Sequence, residues 1–499
     1  MSDCCSSNVE KKTANDKSRE STNKTSARQE RKDGQSLNVV IVGTGSGAFA
    51  AAIKAVEEGA TVTIIEGGDV IGGTCVNIGC VPSKIMIRGA HIAHLQGNHQ
   101  FAGLPLNKPD INRQAMVQQQ QEWVGNLRYA KYESILESNP GITLVRGMAR
   151  FKNANTLIVK SADGVEKEIN ADRILLAVGA SASRPSISGL SETPFWTSTE
   201  ALVSEKLPEH LVVLGGSVIA LELAQAFRHL GCKVTLIARS TLLSKEDPEV
   251  GETLQQVFEG EGINVLLHSS PENISYDGKK FSVGLKNGDV RGDQLLVATG
   301  RQANTAALDL DKAGVKTDKQ GRVIIDDHMR TSVDNIYAAG DCTTHPQFVY
   351  VAAAAGTRAA RNMTGDDVAI DLSVLPSVVF TTPQVATVGL NEAQAKQQGL
   401  DVKTRSLDLE NVPRALANFD TRGFIKVVAE KDSGRIVGCQ IVATEGGEVI
   451  QTAALAIRHK MTIDDLANQL FPYLTMVEGL KLCAQTFNKD VKQLSCCAG

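Results

Sequence analysis

The sequence predicts an α/β protein with two βαβ-based domains followed by a C-terminal α+β domain, and three observations predict it. First, the β-branched run Asn38-Val39-Val40-Ile41-Val42 feeds the turn Gly43-Thr44-Gly45-Ser46-Gly47-Ala48. An Ala-rich helix to about Glu58 and a strand Thr61 to Ile65, closed by Glu66, complete the unit. Second, the same order returns about 170 residues later: Leu211 to Leu214, Gly215-Gly216-Ser217-Val218-Ile219-Ala220, a helix to about His229, and a strand Lys233 to Ile237. Third, from about residue 372 strands (Val385 to Val388, Phe424 to Ala429, Ile436 to Val442) mix with helices, the pattern of a separate α+β domain.

The composition agrees. Hydrophobic residues make up 42% of the 499 and charged residues 22%, ordinary for a globular protein. A net charge of −4 supplies no basic field for nucleic acid or an anionic membrane. There is no apolar run of the ~18 residues needed to span a bilayer, and no apolar stretch near the N-terminus to act as a signal. A cytoplasmic α/β enzyme is the expectation. Residues 1–36 are polar and charged, with almost nothing to bury, and are expected to be disordered. The expected order is then 37–180 and 301–370 as the two parts of one domain, 181–300 inserted between them, 371–487 as the α+β domain, and 488–499 as a polar tail.

A glycine turn between strand and helix lets backbone N–H groups approach a pyrophosphate at the positive helix end, so both βαβ units read as Rossmann-like dinucleotide-binding domains. Their second strands end differently. Glu66 closes the first, and a carboxylate there accepts hydrogen bonds from ribose hydroxyls. Ala238-Arg239 closes the second, and an arginine there favours a 2′-phosphate, hence NADPH over NADH. The bland alternative for Arg239 is a solvated surface side chain. The segment Thr331 to Asp341 reads as an apolar strand presenting Gly340 and Asp341 at its C-terminal end, where α/β sheets contact ligands. A strand followed by a simple turn is the alternative there.

Ten cysteines in a reducing compartment point to redox or metal chemistry where they cluster. Cys232, Cys342, Cys439 and Cys483 are singletons in mostly apolar stretches, expected in the core or at the surface. The informative stretch is Gly72-Gly73-Thr74-Cys75-Val76-Asn77-Ile78-Gly79-Cys80-Val81-Pro82-Ser83-Lys84. In a regular α-helix, residues five apart are rotated by about 140° and separated by about 7.5 Å of rise, poor geometry for a disulfide. Asn77, Gly79 and Pro82 allow an irregular entry into a helix that closes the gap. A cysteine near a helix start, with Lys84 close by, is favoured as thiolate. Two unrelated buried cysteines in a Gly-rich loop is the alternative.

On these motifs the chain, over about residues 37 to 490, resembles the pyridine nucleotide-disulfide oxidoreductases of the glutathione reductase and lipoamide dehydrogenase type. The resemblance implies FAD, with Asp341 at its ribityl chain, and electrons passing from NADPH through FAD to a Cys75–Cys80 pair. Cys80 would lie against the flavin, Cys75 would exchange with substrate, and Lys84 would pair with Glu222. It implies Gly43, Gly45, Ala48, Glu66, Gly73, Thr74, Lys84, Gly340 and Asp341 as the flavin cradle. For the nicotinamide nucleotide it implies Gly215, Ser217, Ala220, Glu222 and Arg239.

Disulfide-reducing members carry a C-terminal His-x4-Glu unit that protonates the departing thiolate. Here Tyr473 stands five residues before Glu478, in the histidine's place. Tyrosine, with an ordinary pKa near ~10, is a poor proton shuttle at neutral pH but a serviceable ligand-side hydroxyl. The tail ends Cys496-Cys497-Ala498-Gly499, and adjacent thiolates near a chain end can hold a soft metal. Incidental thiols on a disordered tail is the alternative.

Together these features resemble the mercuric reductase branch. They imply the reaction of Hg(II) with NADPH to Hg(0), NADP+ and a proton. The metal would arrive as a thiol complex and be held by Cys75, Cys80, Cys496 and Cys497, with Tyr132, Tyr473 and Glu478 completing the catalytic set. The same resemblance implies a homodimer with active sites at the subunit interface. Many such enzymes carry an N-terminal Met-Thr-Cys-x-x-Cys metal-binding domain that this chain lacks. Cys4-Cys5 reads as chance cysteines or as a scavenging site. Two rival readings are a large thioredoxin reductase, which needs the missing histidine, and a flavoprotein that sequesters soft metals without turning over.

Overall fold

The computed structural model describes residues 36–494. Of the tail expected at residues 1–36, residues 1–35, with Cys4 and Cys5, lie outside the described residues, as does the C-terminal pair Cys496 and Cys497.

The first βαβ unit forms from β1 (Asn38–Val42), α1 (Ser46–Glu57) and β2 (Thr61–Glu66). Its β-branched strands are buried on both faces, which parallel sheets require because helices cover them. The sheet is all parallel, in the order Ile336–Ala338, Arg173–Leu176, β1, β2, Ile142–Arg146. Strands from both expected parts of the domain therefore lie in one sheet. The strand before Asp341 is shorter than its apolar pattern predicts: only Ile336–Ala338 pairs, and Thr331–Asn335 is turn. Thr331 Oγ1 donates to the Ile336 carbonyl at 2.7 Å, a local side-chain bond that competes with the ladder.

After β2 the chain makes two helices, α2 (Gly73–Asn77) and α3 (Cys80–Gly97), then α4 (Arg113–Arg128) and one π-helical turn, Tyr129–Glu133. It leaves the first sheet and returns to it through an antiparallel pair, Ala180–Ala182 with Arg301–Ala303. Between these lies the second unit: β3 (His210–Leu214), α5 (Val218–His229), β4 (Lys233–Ile237) and α6 (Pro248–Gly260). Its parallel sheet runs Asn264–Leu266, β4, β3, Gln294–Val297. Cys232 is buried in the core around it.

The C-terminal part is a five-stranded antiparallel sheet in the order Ser377–Val379, Gln384–Gly389, Ile436–Ala443, Phe424–Glu430, Val402–Asp408. Helices Gly446–Arg458 and Glu478–Gln485 pack on its core, which buries Cys439 and Cys483. Cys342 is also fully buried, so all four singletons are interior residues. No helix among the described residues is long and apolar enough to cross a membrane.

Candidate active site

The irregular entry expected between the two cysteines is present. Cys75 lies in the single turn of α2, Ile78 and Gly79 break it, and Cys80 is the first residue of α3. Gly73 makes the loop possible: its φ is +66°, and a Cβ there would lie 2.6 Å from the Gly45 Cα. The loop that carries the two cysteines thus presses directly on the first glycine turn. Asn77, buried between the cysteines, donates to the carbonyls of Ile71 at 2.8 Å and Gly73 at 2.9 Å, and Arg128 Nη1 donates to its Oδ1 at 3.2 Å. Thr74 sits one position before Cys75, and its carbonyl accepts from the Ile78 N–H at 3.0 Å to close the turn.

Cys75 and Cys80 are free thiols, each close enough to shift the titration of the other. Cys75 pulls the Cys80 pKa down to about 7, with the charge of Lys84 helping and burial and the charge of Glu222 opposing. Cys80 and burial raise Cys75. One thiol is therefore the acid of the pair and the other a thiolate near neutral pH, placed at a helix start that favours negative charge.

Lys84 Nζ lies 2.7 Å from Glu222 Oε2 and 4.5 Å from the centre of the Phe380 ring. Glu222 is 5% exposed, and its other oxygen accepts from the Phe380 N–H at 2.9 Å. One turn along α5, Gln225 exchanges two 2.7 Å hydrogen bonds with the Thr382 backbone. Phe380 and Gln225 were not legible as site residues, because backbone partners leave no motif.

Around the first glycine turn the residues fit a flavin dinucleotide. A Cβ on Gly43 would stand 2.4 Å from the Ala177 carbonyl oxygen, so strand and turn touch there backbone to backbone. Ala48 is fully buried beneath them. Helix α1 begins with no side-chain cap and no acid in its first turn, leaving its N–H groups for an anion. Glu66 Oε1 accepts from the Gly68 N–H at 2.7 Å and its Oε2 from the Thr44 hydroxyl. Thr44 in turn accepts from the Gly72 N–H at 3.2 Å, so this unanticipated residue links Glu66 to the cysteine loop. Gly340 and Asp341 follow the edge strand. Burial raises the Asp341 carboxyl, Arg301 at 3.5 Å offsets this, and the group lies at the C-terminal end of the sheet.

The second turn is built alike. A Cβ on Gly215 would meet the Ala298 oxygen at 2.3 Å and the Ala220 Cβ at 3.1 Å. Ser217 precedes α5 with an exposed hydroxyl that does not cap it, and no acid occupies the first turn. Arg239 is exposed just past β4 and has no ion-pair partner among the described residues.

Tyr132 lies in the π-helical turn. Its hydroxyl is 3.2 Å from Ser46 Oγ, its ring packs edge-on to Phe49 at 4.9 Å, and burial raises its pKa. It therefore stands over α1 and Gly72, within the electrostatic reach of both thiols. Tyr473 and Glu478 belong to the C-terminal part instead. Glu478 is buried with a raised pKa, and its Oε2 accepts from the Leu474 N–H at 3.2 Å. Among charged side chains, Lys84 acts on both thiols and Glu222 on Cys80.

The chain matches the family model "Pyridine nucleotide-disulphide oxidoreductase" over residues 37–356 and the dimerisation domain of the same family over 375–484. It is 59% identical over 465 residues to mercuric reductase of Shewanella putrefaciens, covering 93% of this chain and 84% of that one. To mercuric reductase of Shigella flexneri it is 60% identical over 469 residues, 93% of this chain and 83% of that one. Among solved structures, the HOCl-induced flavoprotein disulfide reductase RclA from Escherichia coli superposes with a TM-score of 0.81 at 30% identity, covering 90% of this chain and 99% of that one.

Proposed function

The chain belongs to the pyridine nucleotide-disulphide oxidoreductases and, within them, to the mercuric reductases, and from that premise we propose that Hg(II) is bound and reduced at Cys75 and Cys80. FAD and NADPH are its cofactors, and its reaction is mercury(II) reduction. When bound, they supply the electron pair that the metal takes up. The chain supplies the rest. Gly43, Gly45, Ala48, Glu66, Gly73, Thr74, Gly340 and Asp341 hold the flavin, while Gly215, Ser217, Ala220 and Arg239 hold the nicotinamide nucleotide.

The observation that carries the reading is the placement of two free thiols, Cys75 in α2 and Cys80 at the first residue of α3, with Lys84 one turn on and held 2.7 Å from buried Glu222; beside each other Cys80 is drawn down to about 7 and Cys75 raised. A soft ion selects thiolates, and its arrival displaces the Cys75 proton. The ion then meets two sulfurs already in place. Lys84 keeps negative charge on Cys80, and Glu222 keeps Lys84 pointed there. Tyr132, whose raised pKa keeps it a neutral hydroxyl, lines the approach. Tyr473 replaces a histidine base because a bound metal that leaves as the element needs no thiol protonated on its behalf.

Cys496 and Cys497 deliver the metal by ligand exchange from the partner subunit's tail, with Tyr473 and Glu478 supplied across the same interface of a homodimer. The domain division is 37–180 with 301–370 for FAD, 181–300 for NADPH and 371–487 for dimerisation. The protein is cytoplasmic and binds neither membrane nor nucleic acid. Anaerobic NADPH titration tests the thiol assignment. Reduction should bring up a long-wavelength thiolate–flavin band that Cys80→Ala abolishes together with turnover. A Cys80→Ala enzyme that keeps both would overturn it. A protein that only sequesters metal would bind Hg(II) stoichiometrically without continued NADPH oxidation.

A further inference from the structure

We infer that His94, His229 and Glu261 form a binding site for a borderline divalent cation of the Zn2+ class, apart from the mercury route. One donor atom from each of the three lies within 4.8 Å of the others. Ligands about 2.1 Å from a tetrahedral ion stand about 3.4 Å apart, so small side-chain shifts close the set. His229 Nε2 is already 3.0 Å from Glu261 Oε2, and the His94 ring stacks on His229 with centroids 4.0 Å apart.

The backbone favours positive charge at this point. His94 is in the last turn of α3, His229 is the last residue of α5, and Glu261 is the C-cap of α6. Three helices of 12 to 18 residues therefore bring their negative dipole ends to one place. Glu261 is held as a carboxylate, its pKa brought to about 2 by His229, Gln225 and Arg422 against the cost of burial. Arg422 Nη1, at 2.9 Å, takes Oε1, and Gln225 Nε2 donates to Oε2 at 3.0 Å, the outer contacts that orient a ligating carboxylate.

The histidines have unspent capacity. His94 Nδ1 lies 3.5 Å from the Asn98 amide nitrogen, too long for a strong bond. His91, one turn earlier on α3, makes no side-chain hydrogen bond among the described residues, and its ring centre is 6.3 Å from that of His229. Burial, above all, lowers the pKa of His91 and His94 to about 4. His229 is buried while His94 is half-buried, which leaves an entry path on one side. Imidazole and carboxylate suit Zn2+, whereas Hg2+ prefers the thiolates elsewhere in the chain. A cation here would clamp the far ends of the two helices whose near ends pair Lys84 with Glu222.

The test uses full-length, FAD-loaded dimer with Cys75, Cys80, Cys496 and Cys497 changed to Ser, so that thiols do not compete. Zn2+ is titrated against a chromophoric chelator, and its coordination is read by X-ray absorption. The site predicts one Zn2+ per subunit with a nitrogen and oxygen shell showing imidazole scattering. His94→Ala and, separately, His229→Gln should each weaken binding at least ~10-fold at unchanged FAD content. No Zn2+ retained at about 100 μM free metal, far above the dissociation constants of structural zinc sites, would overturn the inference. So would equal affinity in His94→Ala.

Discussion

Lys84→Met removes one charge from the thiol pair while keeping the side chain's length. Cys80 and Lys84 are four residues apart on one helix, hence neighbours about 6 Å apart. Unit charges at that distance and an effective dielectric of about 20 interact by about 2.8 kcal/mol, close to two pKa units. Lys84 is 34% exposed, and solvent screening reduces this to about one unit. The Cys80 pKa should therefore rise from about 7 to about 8. Because the thiolate is the form that interacts with the flavin, the long-wavelength band of NADPH-reduced enzyme is present above that pKa and lost below it. Its pH midpoint should move up by about one unit in Lys84→Met. Glu222→Gln should move it down, since the Glu222 charge opposes the thiolate. Lys84→Met also strands a carboxylate that is 5% exposed, at a stability cost of about 1–3 kcal/mol after allowing for the exposed partner. An unmoved midpoint in both variants, or shifts of one sign, would refute the electrostatic account of Cys80.

Three further outcomes are expected. Arg239→Glu should cost about 1–3 kcal/mol of NADPH binding and leave NADH use little changed; equal losses for both would make the arginine structural. Gly73→Ala, at φ +66° and 2.6 Å from the Gly45 Cα, should yield protein depleted of FAD with a displaced cysteine loop, and full FAD content at normal stability would contradict the packing. A heterodimer of a Cys75→Ala/Cys80→Ala subunit and one truncated after Ser495 should regain about half of wild-type activity with thiol-bound mercury if tails act across the dimer; activity no higher than that of either homodimer would exclude transfer in trans.

What the sequence made legible was local chemistry. Strand, glycine turn and helix adjoin in the chain, so both dinucleotide turns and their closing residues Glu66 and Arg239 could be placed by reading in order. The break between Cys75 and Cys80 was legible too, because five-residue spacing on one helix is poor geometry for a disulfide and Asn77, Gly79 and Pro82 allow an irregular entry. What depended on distant backbone was not. Nothing in the sequence joins Glu222 and Gln225 to the amides of Phe380 and Thr382, since carbonyl and N–H partners carry no residue identity. Thr44 stands in the first glycine turn, but its role between Glu66 and Gly72 appears only when β2 and the cysteine loop fold together. The strand before Asp341 was read too long because hydrophobic alternation does not reveal the side-chain bond by which Thr331 ends it. His94, His229 and Glu261 come from three helices far apart in sequence and have no motif at all.

The central claim is that electrons from NADPH leave this protein as elemental mercury. The direct measurement is an anaerobic, thiol-buffered assay of the full-length enzyme that follows NADPH loss while volatile mercury is swept from the headspace and trapped. The account predicts one mercury atom released per NADPH oxidised, continuing over many turnovers and vanishing in Cys75→Ala. NADPH oxidation without trapped mercury, or a single stoichiometric binding of Hg(II) with no turnover, would contradict it.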